Sequence, residues 1–249
     1  MAYASGRRAP TSPELAIALA NLAIHYGAVG RHTEAVAPAE EAVKLLRPHA
    51  AENPSFLPDL ASMLTNLASG YGEIGRHTEA VAPAEEAVKL LRTQAGENPS
   101  YVPDLARALR NLAIRYGEVG RHAEAVALVE EAVKLSRPYA AENPSYLADL
   151  ASMLTNLAIC NREVGRHTEA IAPAEEAVEL WRAQAADNPR YLPDLAGALT
   201  NLATSYGEVG RHAEAAAPAH EAVNLYRQQA THNSRELPKL AGALTNLAI

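Results

Sequence analysis

The chain has 249 residues, with 22 Lys and Arg against 29 Asp and Glu, a formal charge of −7, and no run of basic residues. That balance lacks the electropositive footprint of a nucleic-acid binder, and the want of an 18-residue apolar stretch excludes a transmembrane helix. One cysteine, Cys160, excludes an internal disulfide and a cysteine-based zinc site. With no signal-peptide core after Met1, the sequence reads as a soluble cytoplasmic protein.

Residues 1–7 stand outside any pattern and are expected to be poorly ordered. From residue 8 a period of 45 residues runs without insertion or deletion, marked by Asn-Leu-Ala at Asn21, Asn66, Asn111, Asn156, Asn201 and Asn246. The units are 8–52, 53–97, 98–142, 143–187 and 188–232, with a partial unit 233–249. The second and fourth share 32 residues of 45. A period of this size means stacked supersecondary units, none able to bury its apolar face alone. The 48% apolar content includes roughly a fifth Ala, and only 5% of the chain is aromatic, a composition that suits closely packed helices.

Taking residues 53–97 in order, Pro58 opens a first helix, since proline lacks an N–H that the first turn does not use. Leu60, Ala61, Leu64, Leu67, Ala68 and Tyr71 form its apolar stripe. Gly72 and Gly75 close it, Gly75 as the left-handed residue after the last turn. A second stripe, Ala80, Val81, Ala84, Ala87, Val88 and Leu91, ends before Asn98-Pro99. Pro38, Pro83, Pro173 and Pro218 fall inside the first turns of this second helix, where a proline costs roughly 3 kcal/mol in a plain helix. The third unit keeps the stripe with Leu128 in that place, so the spacing predicts a continuous, slightly bent helix across the proline. The expected architecture is all-α, an α-solenoid of stacked antiparallel helix hairpins.

The series Leu64-x-x-Leu67-Ala68-x-x-Tyr71-x-x-x-Gly75-x-x-x-x-Ala80-x-x-x-Ala84-x-x-Ala87 resembles the tetratricopeptide repeat. The long period and the Asn-Leu-Ala-x-x-Tyr-x-x-x-Gly-Arg core are most similar to kinesin-light-chain-type repeats and to sensor regions of bacterial and fungal signalling ATPases. The resemblance covers about residues 10–249 and implies one array wound as a right-handed superhelix, with first helices lining a concave groove for ligand peptides. Asn161-Arg162 departs from it where other units have Tyr-Gly, which makes the fourth unit the expected weak link.

No catalytic motif is present: there is no phosphate-binding Gly-rich loop, nucleophile elbow or His-Glu-x-x-His. His32, His77, His122, His167 and His212 share one repeat position, but helices about 8–10 Å apart cannot bring such a ladder onto one metal ion. They read as half-buried rings at the start of each second helix. The Asp59 and Glu73 positions recur singly and read as solvated or helix-end charges, and Cys160 lacks the setting of a nucleophile. The chain is expected to be non-enzymatic, without cofactor or metal.

Where nearly identical units differ, a surface facing water or a ligand is the simplest cause. The resemblance places Asn21, Asn66, Asn111, Asn156 and Asn201 in the groove, with Thr65, Thr155 and Thr200 beside them. Each asparagine offers an amide that can donate and accept, either to a peptide backbone or to a neighbouring hairpin. Arg107, Arg110 and Arg162 occupy groove places in the third and fourth units and form the expected basic spot, suited to an acidic segment because Arg chelates carboxylates bidentately. The chaperone-tail clamp of the family is matched by Arg110 and Asn156 but not at Ile114, Gly197 and Asn201. The leading function is a scaffold binding an extended protein or peptide segment, without nucleic acid or membrane. The alternative is a regulatory, self-associating solenoid segment of a larger signalling protein. Residues 233–249 carry a first-helix stripe, Leu240, Ala241, Leu244, Leu247 and Ala248, with no second helix after it. They are the expected self-association site, and 249 residues look like a cut through a longer array.

Overall fold

The computed structural model describes residues 13–230, in which ten α-helices occur and no strand. First helices are α1 (Pro13–Ala28), α3 (Leu57–Glu73), α5 (Val102–Glu118), α7 (Leu147–Glu163) and α9 (Leu192–Glu208). Second helices are α2 (His32–Glu52), α4 (His77–Glu97), α6 (His122–Glu142), α8 (Ile171–Asp187) and α10 (His212–Ala230). The chain divides into two compact units at Val119/Gly120, inside the third repeat. In the first, α1 packs on α2 and α3 on α4, with α5 following; in the second, α6 precedes the pairs α7–α8 and α9–α10.

Each connection repeats because its chemistry repeats. Between hairpins, Asn53, Asn98, Asn143 and Asn188 are extended, and their side chains accept from the N–H two residues on, at 3.0, 3.0, 2.9 and 3.1 Å. This caps a 3₁₀ turn that starts at the following proline and feeds directly into the next first helix. Within α3–α4, Arg76 N–H reaches Tyr71 C=O (2.9 Å) and Gly75 N–H reaches Gly72 C=O (3.0 Å), with Gly75 at φ +76°. That double bond pattern is the glycine-closed helix end expected at Gly75. The helix itself runs one residue past Gly72, to Glu73.

From the second repeat on, two invariant positions of the first-helix stripe are packed throughout. Ala61, Ala106, Ala151 and Ala196 are fully buried, as are Leu64, Leu109, Leu154 and Leu199 to within 1%. Alanine at the closest approach lets paired helices sit close, and leucine fills the space beside it. Some core positions vary: Leu46, Leu91, Ser136, Trp181 and Tyr226 share one and are all buried there, and Ser136 Oγ lies 3.1 Å from Met153 Sδ.

The helix is continuous across Pro38, Pro83 and Pro218, as across Leu128. The fourth repeat differs. Residues 167–170 form a turn and α8 starts at Ile171, so Pro173 sits in its first turn, where the missing N–H removes no helical bond. The N-terminal segment 1–7 and the partial unit 233–249, with Asn246, lie outside the described residues.

Candidate functional site

First helices lie against first helices: α3 contacts α1 and α5, and α7 contacts α9. On their open face, Asn21 and Asn66 are exposed and Asn111, Asn156 and Asn201 half-buried. Among the described residues the side-chain amides of Asn21, Asn66, Asn156 and Asn201 make no hydrogen bond, so the amides do not tie hairpins together; Asn111 Oδ1 accepts from Arg110 Nη2 at 3.2 Å. The threonines behave differently. Thr65, Thr155 and Thr200 donate to the carbonyls of Ala61, Ala151 and Ala196, four residues back, at 2.9, 2.9 and 2.8 Å. Their donors are engaged within the helix, leaving oxygen lone pairs to the face; Thr155 also accepts from Trp181 Nε1 at 3.3 Å.

Between α3 and α5 the face opens into a cleft of about 400 Å³, lined by Asp59, Ser62, Thr65, Asn66, Asp104, Arg107 and Asn111, with Leu91 of α4 at its floor. Four of the sequence-selected residues meet there: Thr65, Asn66, Arg107 and Asn111. A larger cleft of about 500 Å³ runs along α2 beside Val43, Pro48 and Leu67, but it is mostly apolar and its Arg47 is held bidentately by Glu86 (2.6 and 2.9 Å). It includes none of the selected residues.

The arginines are not one free basic spot. Arg107 is closely ion-paired with Asp104, one turn away on α5. Arg162, in the last turn of α7, binds Glu208 with two nitrogens (2.9 and 3.0 Å), and His167 Nδ1 lies 2.8 Å from the same carboxylate. The Arg162 hydrogen bond, first, and that of His167 hold the Glu208 carboxyl below the usual carboxylate range against the opposing effect of burial. In the first unit, Glu118 pairs with Arg115 of its own helix at 2.9 Å, and His77 Nδ1 of the preceding repeat approaches it to 3.0 Å without a hydrogen bond. The Glu73-type carboxylates, read as solvated or helix-end charges, do stand at helix ends, and Glu208 in addition anchors neighbouring repeats. Sequence reasoning missed this because each His and its Glu are 41 residues apart; the signal available was the 45-residue period, which brings them to adjacent helix ends. Gly72 belongs to the same arrangement: a Cβ there would collide with the Arg115 guanidinium.

A second connection between repeats uses the family tyrosine. Tyr71, Tyr116 and Tyr206 donate to Glu40, Glu85 and Glu175, each 31 residues earlier, at 2.6, 2.8 and 2.5 Å. Arg76 and Arg211 lie over the Tyr71 and Tyr206 rings at 4.3 and 4.5 Å and pair with Glu79 and Glu214. Cys160 is half-buried, and burial pushes its thiol up to about 11, away from nucleophilic character. Among the described residues no group of His, Cys, Asp and Glu could hold a metal, and no helix is long and apolar enough to cross a membrane.

A family model described as "Tetratricopeptide repeat" matches residues 59–137 and 149–228, more than half the sequence. The chain belongs to the tetratricopeptide repeat family. A second model, for anaphase-promoting complex subunit 5, matches residues 3–55 only. No curated protein matches. Among solved structures, nearly identical TPR-like repeats of a kinesin light chain-type protein from Podosopora anserina are 26% identical, covering 89% of this chain and 98% of that one, with a TM-score of 0.64. BtubC (BKLC) from P. vanneervenii is 21% identical over 85% of this chain and 80% of its own (TM-score 0.66). The Rap conjugation gene regulator of plasmid pLS20, in complex with the Phr* peptide, is 16% identical over 84% of this chain and 53% of its own (TM-score 0.60). These likenesses agree with the long, kinesin-light-chain-like repeat and the helical solenoid expected from the sequence.

Proposed function

We propose that this tetratricopeptide array binds an extended segment of a partner protein along the open face of its first helices. The observation that carries the reading is the pair of asparagine amides lining the α3–α5 cleft, Asn66 with no hydrogen-bond partner among the described residues and Asn111 accepting only from Arg110. An amide presents a donor and an acceptor at the spacing of a peptide group, so a pair of them grips main chain without dictating side chains. The pLS20 Rap regulator, which shares the fold, holds a peptide, and that supports the class of ligand. The acidic preference expected from three arginines loses its basis where Asp104 and Glu208 already neutralise two of them. The test is a host-extract pulldown comparing the chain with an Asn66→Ala/Asn111→Ala variant and with a Glu86→Ala variant on the opposite helices. A partner retained by Glu86→Ala and lost with the asparagines supports the reading; one indifferent to the asparagines overturns it.

A second reading, self-association, draws on α1 and the turn after it, where Ile17, Leu22 and Ile24 of the helix and Val29 of the turn are 41, 41, 50 and 65% exposed. Light scattering across a concentration series tests it: a constant monomer mass removes it.

A further inference from the structure

Every first helix opens on a carboxylate: Glu14, Asp59, Asp104, Asp149 and Asp194 share one repeat position. Two of them, Asp59 and Asp104, line the α3–α5 cleft together with Asn66 and Asn111. Asp104 is held by Arg107, whereas Asp59 is exposed and makes no ion pair or hydrogen bond among the described residues. Arg107 is itself a departure. The same repeat position holds Ser62, Ser152 and Gly197 in other units, none of which offers a cation. The guanidinium of Arg107 is therefore a cation lying on a cleft carboxylate, supplied from within the chain.

Resting on the segment-binding reading, we infer that this cleft takes a Lys or Arg side chain of the partner segment, and that Arg107 competes with it for Asp104. Asp59 is the open carboxylate, and Asn66 and Asn111 hold the backbone on either side of the bound residue. The three charged groups lining the cleft, two carboxylates and one guanidinium, leave it negative, and the chain's charge of −7 adds a field of the same sign. An acidic segment reaching Arg107 has first to displace Asp104 and then sits beside Asp59. A basic segment meets no such opposition. Exposed ion pairs are individually weak, so charge here sets a selectivity of a few fold on top of backbone binding.

The experiment uses the full chain and three fluorescent pools of twelve-residue peptides, randomised in uncharged residues with two central positions fixed as Lys or Arg, as Glu, or as Ser. Anisotropy titrations give the affinities. The basic pool is expected to bind best and to weaken with added salt. Asp59→Asn should weaken that pool by about two- to fivefold, and Arg107→Ser, which installs the residue of the second and fourth repeats, should tighten it by about the same factor. Tightest binding of the acidic pool, or weaker basic-pool binding in Arg107→Ser, overturns the inference. So does equal binding of all pools; if Asn66→Ala/Asn111→Ala then abolishes that binding, the segment-binding reading survives alone. Failure of every pool to bind removes both.

Discussion

Tyr116 donates its hydroxyl hydrogen to Glu85 across 2.8 Å, joining the first helix of one repeat to the second helix of the repeat before it. The same bond recurs at Tyr71 and Tyr206, and its place in the fourth repeat is taken by Asn161. Asn161 is buried yet too short to act as the tyrosine does. There Arg166 reaches Glu130 only at 4.0 Å, and the residues after it form a turn instead of helix.

Asn161→Tyr should therefore repair the fourth repeat. The new hydroxyl would meet Glu130, and the ring would offer Arg166 the stacking surface that Arg76 and Arg211 use. The expected gain is about 1.5 kcal/mol, the low end for a hydrogen bond to a charged group because Glu130 is largely exposed. Urea denaturation reads the gain, and hydrogen exchange at 167–170 reads the ordering. An unchanged midpoint with unchanged exchange would show that the tyrosine is not what orders this turn.

The helical hairpins were legible because the residues that make them are the residues that do not vary. Ala61, Leu64, Leu67 and Ala68 are buried in α3, and Gly75 has the positive φ its place required. The second-helix start in the fourth repeat was not legible: its sequence, His167-Thr168-Glu169-Ala170, repeats that of His77–Ala80, yet it forms a turn where the second repeat forms helix. The site was half legible. The family resemblance put Thr65, Asn66, Arg107 and Asn111 at groove places, and they line one cleft, but the state of each polar group depends on neighbours that no local pattern names. Glu208 lies 46 residues beyond Arg162 and only the fold brings them together.

Tyrosine ionisation should separate these joints from ordinary surface rings. Burial, first, and the hydrogen bond to a carboxylate push Tyr71 and Tyr206 up to about 12 from 10.0. A raised folded value contributes stability that is complete below pH 10 and is lost as pH rises through 12. Spectrophotometric titration should show a late-titrating class that shrinks in Tyr71→Phe and Tyr206→Phe. A single transition near 10 in the folded protein would refute the assignment.

The one tryptophan, Trp181, reports on the second unit. It is 6% exposed and donates to Thr155, so its emission should be blue-shifted when folded and move red on unfolding. Trp181→Ala should destabilise by about 3–5 kcal/mol through the cavity it leaves. Retention of the wild-type denaturation midpoint, read by circular dichroism, would contradict that packing.

Arg162 distinguishes a joint from a ligand contact. Its pairing with Glu208 lies with a carboxyl held below its usual 4.5, so the stability it supplies is complete above that pH and is lost as pH falls through the depressed folded value. Arg162→Ala should accordingly lower the denaturation midpoint at pH 7, with a difference from wild type that narrows in acid, where Glu208 is protonated in both. Glu208→Gln should mimic it. Peptide-pool affinity should stay within twofold of wild type in both variants, about 0.4 kcal/mol. A loss of affinity in Arg162→Ala at unchanged stability would return Arg162 to the binding face.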